Sequence, residues 1–307
     1  MALLWHRITQ PGSTPSSRWY LLGAGFLIAI IGLLVIVLTR PAETLYPVEI
    51  NGRFGYINRS GKLVILAQFG DAGIFDDGLS PVLIGRTWGY VDKTGKIAIA
   101  PQFEVADPFS EGLALVGSRG KFGYIDRAGK YVLTPRFRGA GRFAESCAPV
   151  STGERWGYVD RNGRFVINPQ YEEAGNFAEG LAVIRLGGIY GYINRAGKIA
   201  INPQFKSAGE FSDGLGLVGV GGKFGYIDRD GNYAIRASFE QAGEFSQGLA
   251  RVGFASRYGY IDTRGKMAIN PQFDRAGDFY RGLAPVWLGN HQGYINKQGK
   301  YVWLPTT

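Results

Sequence analysis

The sequence predicts an all-β domain of eight tandem 34-residue units, preceded by one transmembrane α-helix. The dipeptide Gly-Tyr recurs every 34 residues without insertion or deletion, from Gly55 to Gly293. Each copy leads into Asp-x-x-Gly or Asn-x-x-Gly, a spacing typical of a type I turn that ends on a left-handed glycine. Residues 19–38 form an uncharged apolar run. As a helix this run would be about 30 Å long, the thickness of the hydrocarbon core of a membrane.

The composition excludes several classes of protein. The chain has 307 residues and a formal net charge of +9, with 47 Gly, one Cys and two His. One cysteine rules out a disulfide framework within the chain, and two histidines leave little for a zinc or haem site or for histidine acid–base chemistry. The sequence also lacks a nucleophile elbow, a phosphate-binding loop and a zinc-protease motif. We therefore expect no enzyme activity, no metal and no cofactor.

Each unit predicts three strands. Two of them flank the turn, as in Trp88–Val91 and Ile97–Ile99, and the third reads Gly-Leu-Ala-x-Val, as in Gly112–Val116. The connection between the second and third strands reads Pro-Gln-aromatic-x-x-Ala-Gly-x-Phe, and we expect its proline to end the second strand. The repeated tyrosines, from Tyr56 to Tyr294, are predicted to be core residues rather than stacking platforms for sugars. About four glycines per unit argue against the helical repeat that shares this period.

These motifs resemble WG repeats, also called KWG repeats. The shared pattern is aromatic-Gly-Tyr-Ile-Asp-x-x-Gly-Lys followed by Pro-x-Phe and Phe-x-x-Gly-Leu-Ala-x-Val, and it covers residues 45–304. Ser146-Cys147, Ala237 and His291-Gln292 depart from it. We interpret Cys147 as a small core residue. The resemblance implies a repeat architecture and a binding role rather than a particular reaction.

The two ends of the repeat region are compatible both with a closed ring and with an open stack. The region begins with a third-strand equivalent at Leu45–Val48 and ends with a second strand at Tyr301–Trp303. A ring closed by pairing strands from both termini would need this offset, but an open stack can begin and end there equally well. We favour an open superhelical solenoid, with a closed eight-unit propeller-like ring as the alternative.

The domain organisation follows from the apolar run and the repeats. It comprises a short cytoplasmic tail (1–18), a transmembrane anchor (19–39), a linker (40–44) and the WG-repeat β domain (45–307). The apolar run is longer than the core of a signal peptide and lacks an Ala-x-Ala-like site, which favours an uncleaved anchor. Gly25 and Ala29 form a small-x-x-x-small pair that suggests a homodimer through the anchor helix.

Charges that flank the apolar run predict its orientation. Arg7 and Arg18 precede the run without an acidic residue, whereas Arg40 is followed by Glu43 and Glu49. Because positive charge is retained on the cytoplasmic side, we expect the N-terminus in the cytoplasm. The protein is then a single-pass protein of the inner or plasma membrane, with its repeat domain in the periplasm or outside the cell.

The turns carry the candidate binding residues. The position after the turn Asp or Asn and the position after the turn glycine are each basic in seven of eight units. We predict that they form an edge for anionic ligands: Arg59, Lys62, Lys93, Lys96, Arg127, Lys130, Arg161, Arg164, Arg195, Lys198, Arg229, Lys266, Lys297 and Lys300. Their charge could equally serve only solubility. A row of acids precedes the third strand: Asp77, Glu111, Glu145, Glu179 and Asp213. We expect this row to lie in solvated loops rather than beside a cation or a basic row.

The sequence therefore predicts a membrane-anchored, non-catalytic binding or scaffold protein. Its partner would be a protein, an anionic polysaccharide or a lipid, engaged by many weak contacts at a fixed spacing. One alternative is an enzyme accessory or glycan hydrolase that uses repeat carboxylates as acid and base. Another is an intracellular scaffold with inverted topology, the only arrangement in which nucleic acid becomes a plausible partner.

Overall fold

The computed structural model describes residues 43–304, which form 31 strands in eight antiparallel sheets. The predicted tail and anchor, and the first part of the linker, lie outside these described residues. Within the described part, no helix is long and apolar enough to cross a membrane.

Each sheet is one blade, and its strands follow one another along the chain. Blade 1 contains β1 (Leu45–Ile50), β2 (Arg53–Asn58) and β3 (Leu63–Phe69), and blade 2 contains β4 (Asp71–Ala72), β5 (Leu79–Ile84), β6 (Thr87–Asp92) and β7 (Ile97–Phe103). Blade 3 contains β8 (Val105–Ala106), β9 (Ala114–Ser118), β10 (Lys121–Ile125) and β11 (Tyr131–Phe137), and blade 4 contains β12 (Gly139–Ala140), β13 (Ala148–Ser151), β14 (Trp156–Val159) and β15 (Phe165–Tyr171). Blade 5 contains β16 (Glu173–Ala178), β17 (Leu181–Leu186), β18 (Ile189–Asn194) and β19 (Ile199–Phe205), and blade 6 contains β20 (Ser207–Ser212), β21 (Leu215–Val220), β22 (Lys223–Ile227) and β23 (Tyr233–Phe239). Blade 7 contains β24 (Gln241–Ala242), β25 (Leu249–Phe254), β26 (Arg257–Asp262) and β27 (Met267–Phe273), and blade 8 contains β28 (Arg275–Ala276), β29 (Leu283–Leu288), β30 (His291–Asn296) and β31 (Tyr301–Trp303).

The prediction of three strands per unit is wrong for seven of the eight blades. In those blades the Ala-Gly segment, which we predicted to be a connection, pairs as a short innermost strand; Asp71 and Ala72, for example, lie opposite Leu83 and Val82. Only blade 1 has three strands in the described residues. The proline does not end its strand either, because Pro101 lies inside β7.

The glycine of the repeated aromatic-Gly-Tyr motif is required by close packing of the backbone. Between the pairs Trp88 with Phe103 and Tyr90 with Ile99, β7 advances four residues while β6 advances two, so β7 bulges. A Cβ atom on Gly89 would lie 2.6 Å from the carbonyl oxygen of Ile99, inside van der Waals contact. Any side chain at this position would therefore displace the outermost strand.

The core consists of eight apolar clusters, each between two neighbouring blades. The repeated tyrosines lie in these clusters, which confirms their predicted core position. Tyr124 is fully buried, its ring lies 4.7 Å from that of Phe143, and its hydroxyl donates a 2.7 Å hydrogen bond to the carbonyl of Gly141 in the next blade. Burial raises the pKa of Tyr124 far above its ordinary value. Seven of the eight repeated tyrosines, all except Tyr294, join one blade to the innermost-strand segment of the next in this way.

The repeat domain is a closed eight-bladed β-propeller, so the prediction of an open solenoid is wrong. Blade 8 packs on blade 1 through a cluster that includes Tyr46, Val48, Ile57, Leu283 and Tyr294. Eight equivalent interfaces turn the stack through a full circle, and closure buries apolar faces that an open array would expose at its ends. The first and last described strands, β1 and β31, lie in different sheets, and the ring closes by face-to-face packing of blades 8 and 1.

Within the described residues blade 1 has no innermost strand, and two tyrosines occupy its place. Tyr46 occupies a position that is Ser80 in blade 2, and it is 1% exposed. Its ring lies 5.7 Å from Tyr294 and 6.5 Å from Tyr280, and its hydroxyl donates to the carbonyl of Arg281 at 2.8 Å. The Tyr280 hydroxyl in turn reaches past blade 1 and donates to a carbonyl in blade 2, that of Phe75.

Side chains of blade 8 also satisfy the open backbone of β1. In blade 2 the carbonyl of Pro81 accepts a hydrogen bond from the innermost-strand segment. Its equivalent in blade 1, Pro47, accepts one from the Tyr294 hydroxyl at 2.7 Å instead. The amide of Glu49 donates to Oε1 of Gln292 at 3.0 Å. Gln292 replaces the aromatic residue of the motif, so this departure from the repeat serves ring closure.

Candidate binding surface

Two kinds of loop lie on opposite faces of the propeller, because the strands alternate in direction. The turns between the third and fourth strands and the loops after the innermost strands lie on one face, here called the turn face. The hairpins between the second and third strands lie on the other, here called the hairpin face. All fourteen basic candidates are in the turns and therefore lie on the turn face.

The acid of each turn is held by the turn itself. In blade 4, Oδ1 of Asp160 accepts hydrogen bonds from the amides of Asn162 and Arg164, both at 2.9 Å. Gly163 then adopts the predicted left-handed conformation with φ of 74°. The amide of Arg164 is the main cause that lowers the pKa of the Asp160 carboxyl. The turn acids are therefore structural, as their spacing predicted.

The basic residues that follow the turn Asp or Asn are here called the turn row: Arg59, Lys93, Arg127, Arg161, Arg195, Arg229 and Lys297. Four of them bind the acidic loop position of the preceding blade. Nη1 of Arg195 lies 3.0 Å from Oε2 of Glu145. Arg161 and Arg229 donate to the carbonyls of Glu111 and Glu179. Lys297 donates in the same way to the carbonyl of Gln247, which replaces an acid. Much of the turn row is therefore engaged within the fold.

The acidic row lies in loops, as predicted, with Asp77, Glu111 and Asp213 exposed, and it also connects consecutive blades. The Glu145 carboxylate accepts a 2.8 Å hydrogen bond from the amide of Gly180 in the next blade, in addition to its pairing with Arg195. The same hydrogen bond, from an amide of the next blade to the carboxylate, recurs at every acid of the row. The pairs are Gly112 with Asp77, Ser146 with Glu111, Gly180 with Glu145, Gly214 with Glu179 and Gly248 with Asp213. The neighbouring basic row, which we considered as an alternative, supplies the countercharge at Glu111 and Glu145.

The residues after the turn glycine are here called the rim row: Lys62, Lys96, Lys130, Arg164, Lys198, Lys266 and Lys300. They precede the outermost strands, so they lie at the periphery of the turn face, and all seven are exposed. None makes an ion pair within 4 Å with another residue of the described chain. The structure thus divides the predicted edge into one row in which four of seven residues bind the preceding blade, and one row that faces solvent.

A cluster of charges around the centre of the ring was missed by the sequence analysis. It is built from the third residue of the Ala-Gly-x-Phe motif, which is Ile74 in blade 2 but Arg142 in blade 4 and Glu210 in blade 6. Arg142 and Glu210 form a 2.7 Å ion pair, and Asn176 between them donates to Glu210 at 2.6 Å. The change from apolar to charged residues at this one position was the available signal.

Burial perturbs several carboxyls near the centre. Desolvation raises the pKa of Asp107, Glu244 and Asp278 above their ordinary values. Asp107 lines a cleft of about 380 Å³ together with Arg142. Nowhere in residues 43–304 are three or more His, Cys, Asp or Glu side chains placed to hold a metal ion. Cys147 is buried as predicted, and burial raises the pKa of its thiol to about 11.

The fold and its repeated turns define an eight-bladed propeller built from one repeated motif. A family model described as "WG containing repeat" matches seven consecutive segments: 54–86, 88–122, 122–156, 156–188, 190–224, 224–253 and 258–290. The chain therefore belongs to the family of WG-repeat proteins. No curated protein sequence matches it.

Solved structures share the fold at low sequence identity. The dihydro-heme d1 dehydrogenase NirN in complex with DHE aligns with a TM-score of 0.58 and 13% identity over 85% of this chain and 72% of its own. A eukaryotic initiation factor aligns with a TM-score of 0.56 and 11% identity, over 86% and 84%. KlHsv2 with loop 6CD replaced by a Gly-Ser linker aligns at 0.50 and 10%, over 76% and 96%. These similarities concern the fold alone, and a propeller of repeated blades is suited to a binding or scaffold role.

Proposed function

We propose that the protein is a non-catalytic, membrane-anchored scaffold whose turn face binds the anionic headgroups of the membrane that carries it. The observation behind this proposal is the rim row, seven exposed cations at equivalent positions around one face. Each cation near an anionic lipid surface contributes about 1 kcal/mol. Seven weak contacts on one rigid body would act together, as multivalent binding requires.

The point at which the chain enters the propeller supports the membrane as partner. Leu45, the first residue of β1, pairs with Asn58, the first residue of a turn, so the chain enters at the turn face. The five-residue linker at 40–44 can span at most about 17 Å. An anchor at residues 19–39 would therefore tether Leu45 to within about two Debye lengths of the bilayer surface. The proposed orientation places the propeller outside the cytoplasm, in the periplasm or extracellular space.

The use of the acids favours a binding function over hydrolysis. A glycan hydrolase of the usual kind would need a pair of carboxylates free to act as acid and base. Glu111 and Glu145 contribute to the same cleft as Asp107, but both accept amide hydrogen bonds and pair with arginines. Their role in joining blades leaves the protein better suited to binding than to catalysis.

The rim row can be tested with vesicles. Changing Lys96, Lys130, Arg164 and Lys198 to serine should weaken binding of residues 43–307 to vesicles that contain phosphatidylglycerol by at least about tenfold, because four cations leave the surface. Binding to phosphatidylcholine vesicles should be weak for both proteins, and salt should reduce the difference. Cosedimentation measures the bound fraction.

A variant of the opposite face is the matched control. Arg53, Arg86, Arg119 and Arg138 are exposed, lie on the hairpin face and form no ion pair with a described residue. Changing these four to serine removes the same charge and should leave vesicle binding unchanged. Equal losses in the two variants would show that only net charge matters, and no binding by the unmodified protein would contradict the proposal.

A further inference from the structure

The network between blades changes at the interface of blades 7, 8 and 1. The loop position that is acidic from Asp77 to Asp213 becomes Gln247 in blade 7 and Arg281 in blade 8. Arg59 of the turn row lies against Gly282, where its equivalents meet an acidic loop, so it faces another arginine. In the described chain Arg59 has no ion-pair partner.

These residues surround a cavity of about 560 Å³ on the turn face. Its wall carries three cations, Arg59, Arg281 and Lys297. Within residues 43–304 the one anion that pairs with them is Asp76, whose Oδ1 lies 3.6 Å from Arg281. The formal charge of this group is therefore +2. The guanidinium of Arg281 also lies 5.2 Å from the centre of the Tyr280 ring, a cation–π contact.

The hydrogen-bonding groups of the cavity are mostly donors. Oε1 of Gln247 already accepts from the amide of Gly282 at 2.9 Å. Oδ1 of Asn296 accepts from two amides of its own turn, those of Gln298 and Lys300, at 3.0 Å. The side-chain N–H groups of Gln247 and Arg59 form no hydrogen bond within the described chain. A ligand rich in acceptor oxygens would complete the site.

We propose that this cavity is a binding site for a phosphate monoester. Its two negative charges balance the +2 of the wall, and its oxygens match the fork of the guanidinium groups. A cavity of 560 Å³ exceeds the size of one phosphate and falls in the range for small organic ligands. The site uses none of the rim row, so it is independent of the proposed membrane contact.

The change of Arg281 to glutamate tests the site directly, because it recreates the residue pattern of the other blades. Glutamate at 281 would pair with Arg59 as Glu145 pairs with Arg195. The backbone suits the exchange, since Arg281 and Glu145 have φ values of 48° and 50°. We expect R281E to lose affinity for phosphate by at least about tenfold. Its melting temperature should change little, because the new pair with Arg59 offsets the lost contacts with Asp76 and Tyr280.

The experiment is a titration of the full chain in detergent with inorganic phosphate and with glycerol 3-phosphate, read by tryptophan fluorescence during thermal unfolding. Phosphate should raise the melting temperature above that found in chloride at the same ionic strength, in a saturable manner. R59Q and R281E should lose this stabilisation. R195Q, which removes an equivalent ion pair in blade 5, should keep it.

The source of the monoester is distinguished by a second arm with micelles that contain phosphatidic acid. Stabilisation by glycerol 3-phosphate identifies a soluble ligand, and stabilisation by phosphatidic acid alone identifies a lipid; either result supports the site. No phosphate effect beyond chloride in either arm, or an equal effect in R281E, would overturn it. The serine variant of the rim row should retain phosphate stabilisation, so failure of the membrane proposal remains separable from failure of this one.

Discussion

Replacing Tyr46 with alanine is expected to lower the free energy of unfolding by about 4 kcal/mol. The change empties the space that an innermost strand would fill in blade 1, and buried aromatic truncations cost about 3–5 kcal/mol. It also removes the hydrogen bond to the carbonyl of Arg281 and the ring contacts with Tyr280 and Tyr294. Because blade 8 meets blade 1 through these contacts, the propeller should unfold roughly 10 °C lower. Thermal unfolding followed by circular dichroism measures this.

Two controls separate the effect of losing the Tyr46 ring from the effect of losing its hydroxyl and from that of losing an exposed tyrosine. Tyr46→Phe keeps the ring and should cost only about 1 kcal/mol for the lost hydrogen bond. Tyr233→Ala removes a tyrosine that is 46% exposed on an outermost strand, and it should cost less than about 0.5 kcal/mol. If Tyr46→Ala were no more harmful than Tyr233→Ala, the ring would not depend on this closure.

Replacing Gly157 with alanine is expected to cost about 3 kcal/mol, although the change adds a single methyl group. The new Cβ would lie 2.5 Å from the carbonyl oxygen of Ile167 and 2.7 Å from the nitrogen of Pro169. Both atoms are backbone of the bulged outermost strand, so the strand itself must move, and overpacking of this kind typically costs 1–3 kcal/mol. Denaturant unfolding of the two proteins measures the difference.

Gly153 in the same blade is the matched control. A Cβ on Gly153 would have no atom within 4 Å. Gly153→Ala should therefore change the stability by less than about 0.5 kcal/mol, or raise it slightly by restricting the unfolded chain. Equal stabilities of Gly157→Ala and Gly153→Ala would contradict the close approach that we assign to the repeated glycine.

The long strands, turns and core tyrosines were predictable because each has a local signature. Alternation with period two marks a strand of five or six residues, and Asp-x-x-Gly marks its turn. The innermost strands have no such signature: in five of the seven blades that have one it contains only two residues, as in Val105–Ala106, and in blades 5 and 6 the six-residue strand is interrupted by a register shift. Neither the short nor the interrupted strands show regular alternation, so the sequence predicts a connection there.

Ring closure was not predictable because it depends on the angle between successive blades, which no local motif encodes. The residues that complete the ring were visible only as departures from the repeat. Tyr46 is large where other units have a small residue, and Gln292 is polar where they have an aromatic. Only the structure shows that both lie at the contact between blade 8 and blade 1.

The candidate surface was predictable in position but not in use. Composition and register correctly place fourteen bases on one face. Which of them remain available depends on pairs fifty residues apart, such as Arg195 with Glu145, that form between blades. The replacement of an acid by arginine at position 281 indicates a basic site only when the structure shows that Arg59 lies beside it.

The central claim is that the rim row faces an anionic membrane. The most direct measurement is lysine acylation, read by mass spectrometry, of the full chain in nanodiscs with and without phosphatidylglycerol. We expect anionic lipid to protect the six lysines of the rim row: Lys62, Lys96, Lys130, Lys198, Lys266 and Lys300. Lys121 and Lys206 on the hairpin face should react equally in both discs. Equal reactivity of the rim lysines in the two discs, or protection of Lys121 and Lys206 instead, would contradict it.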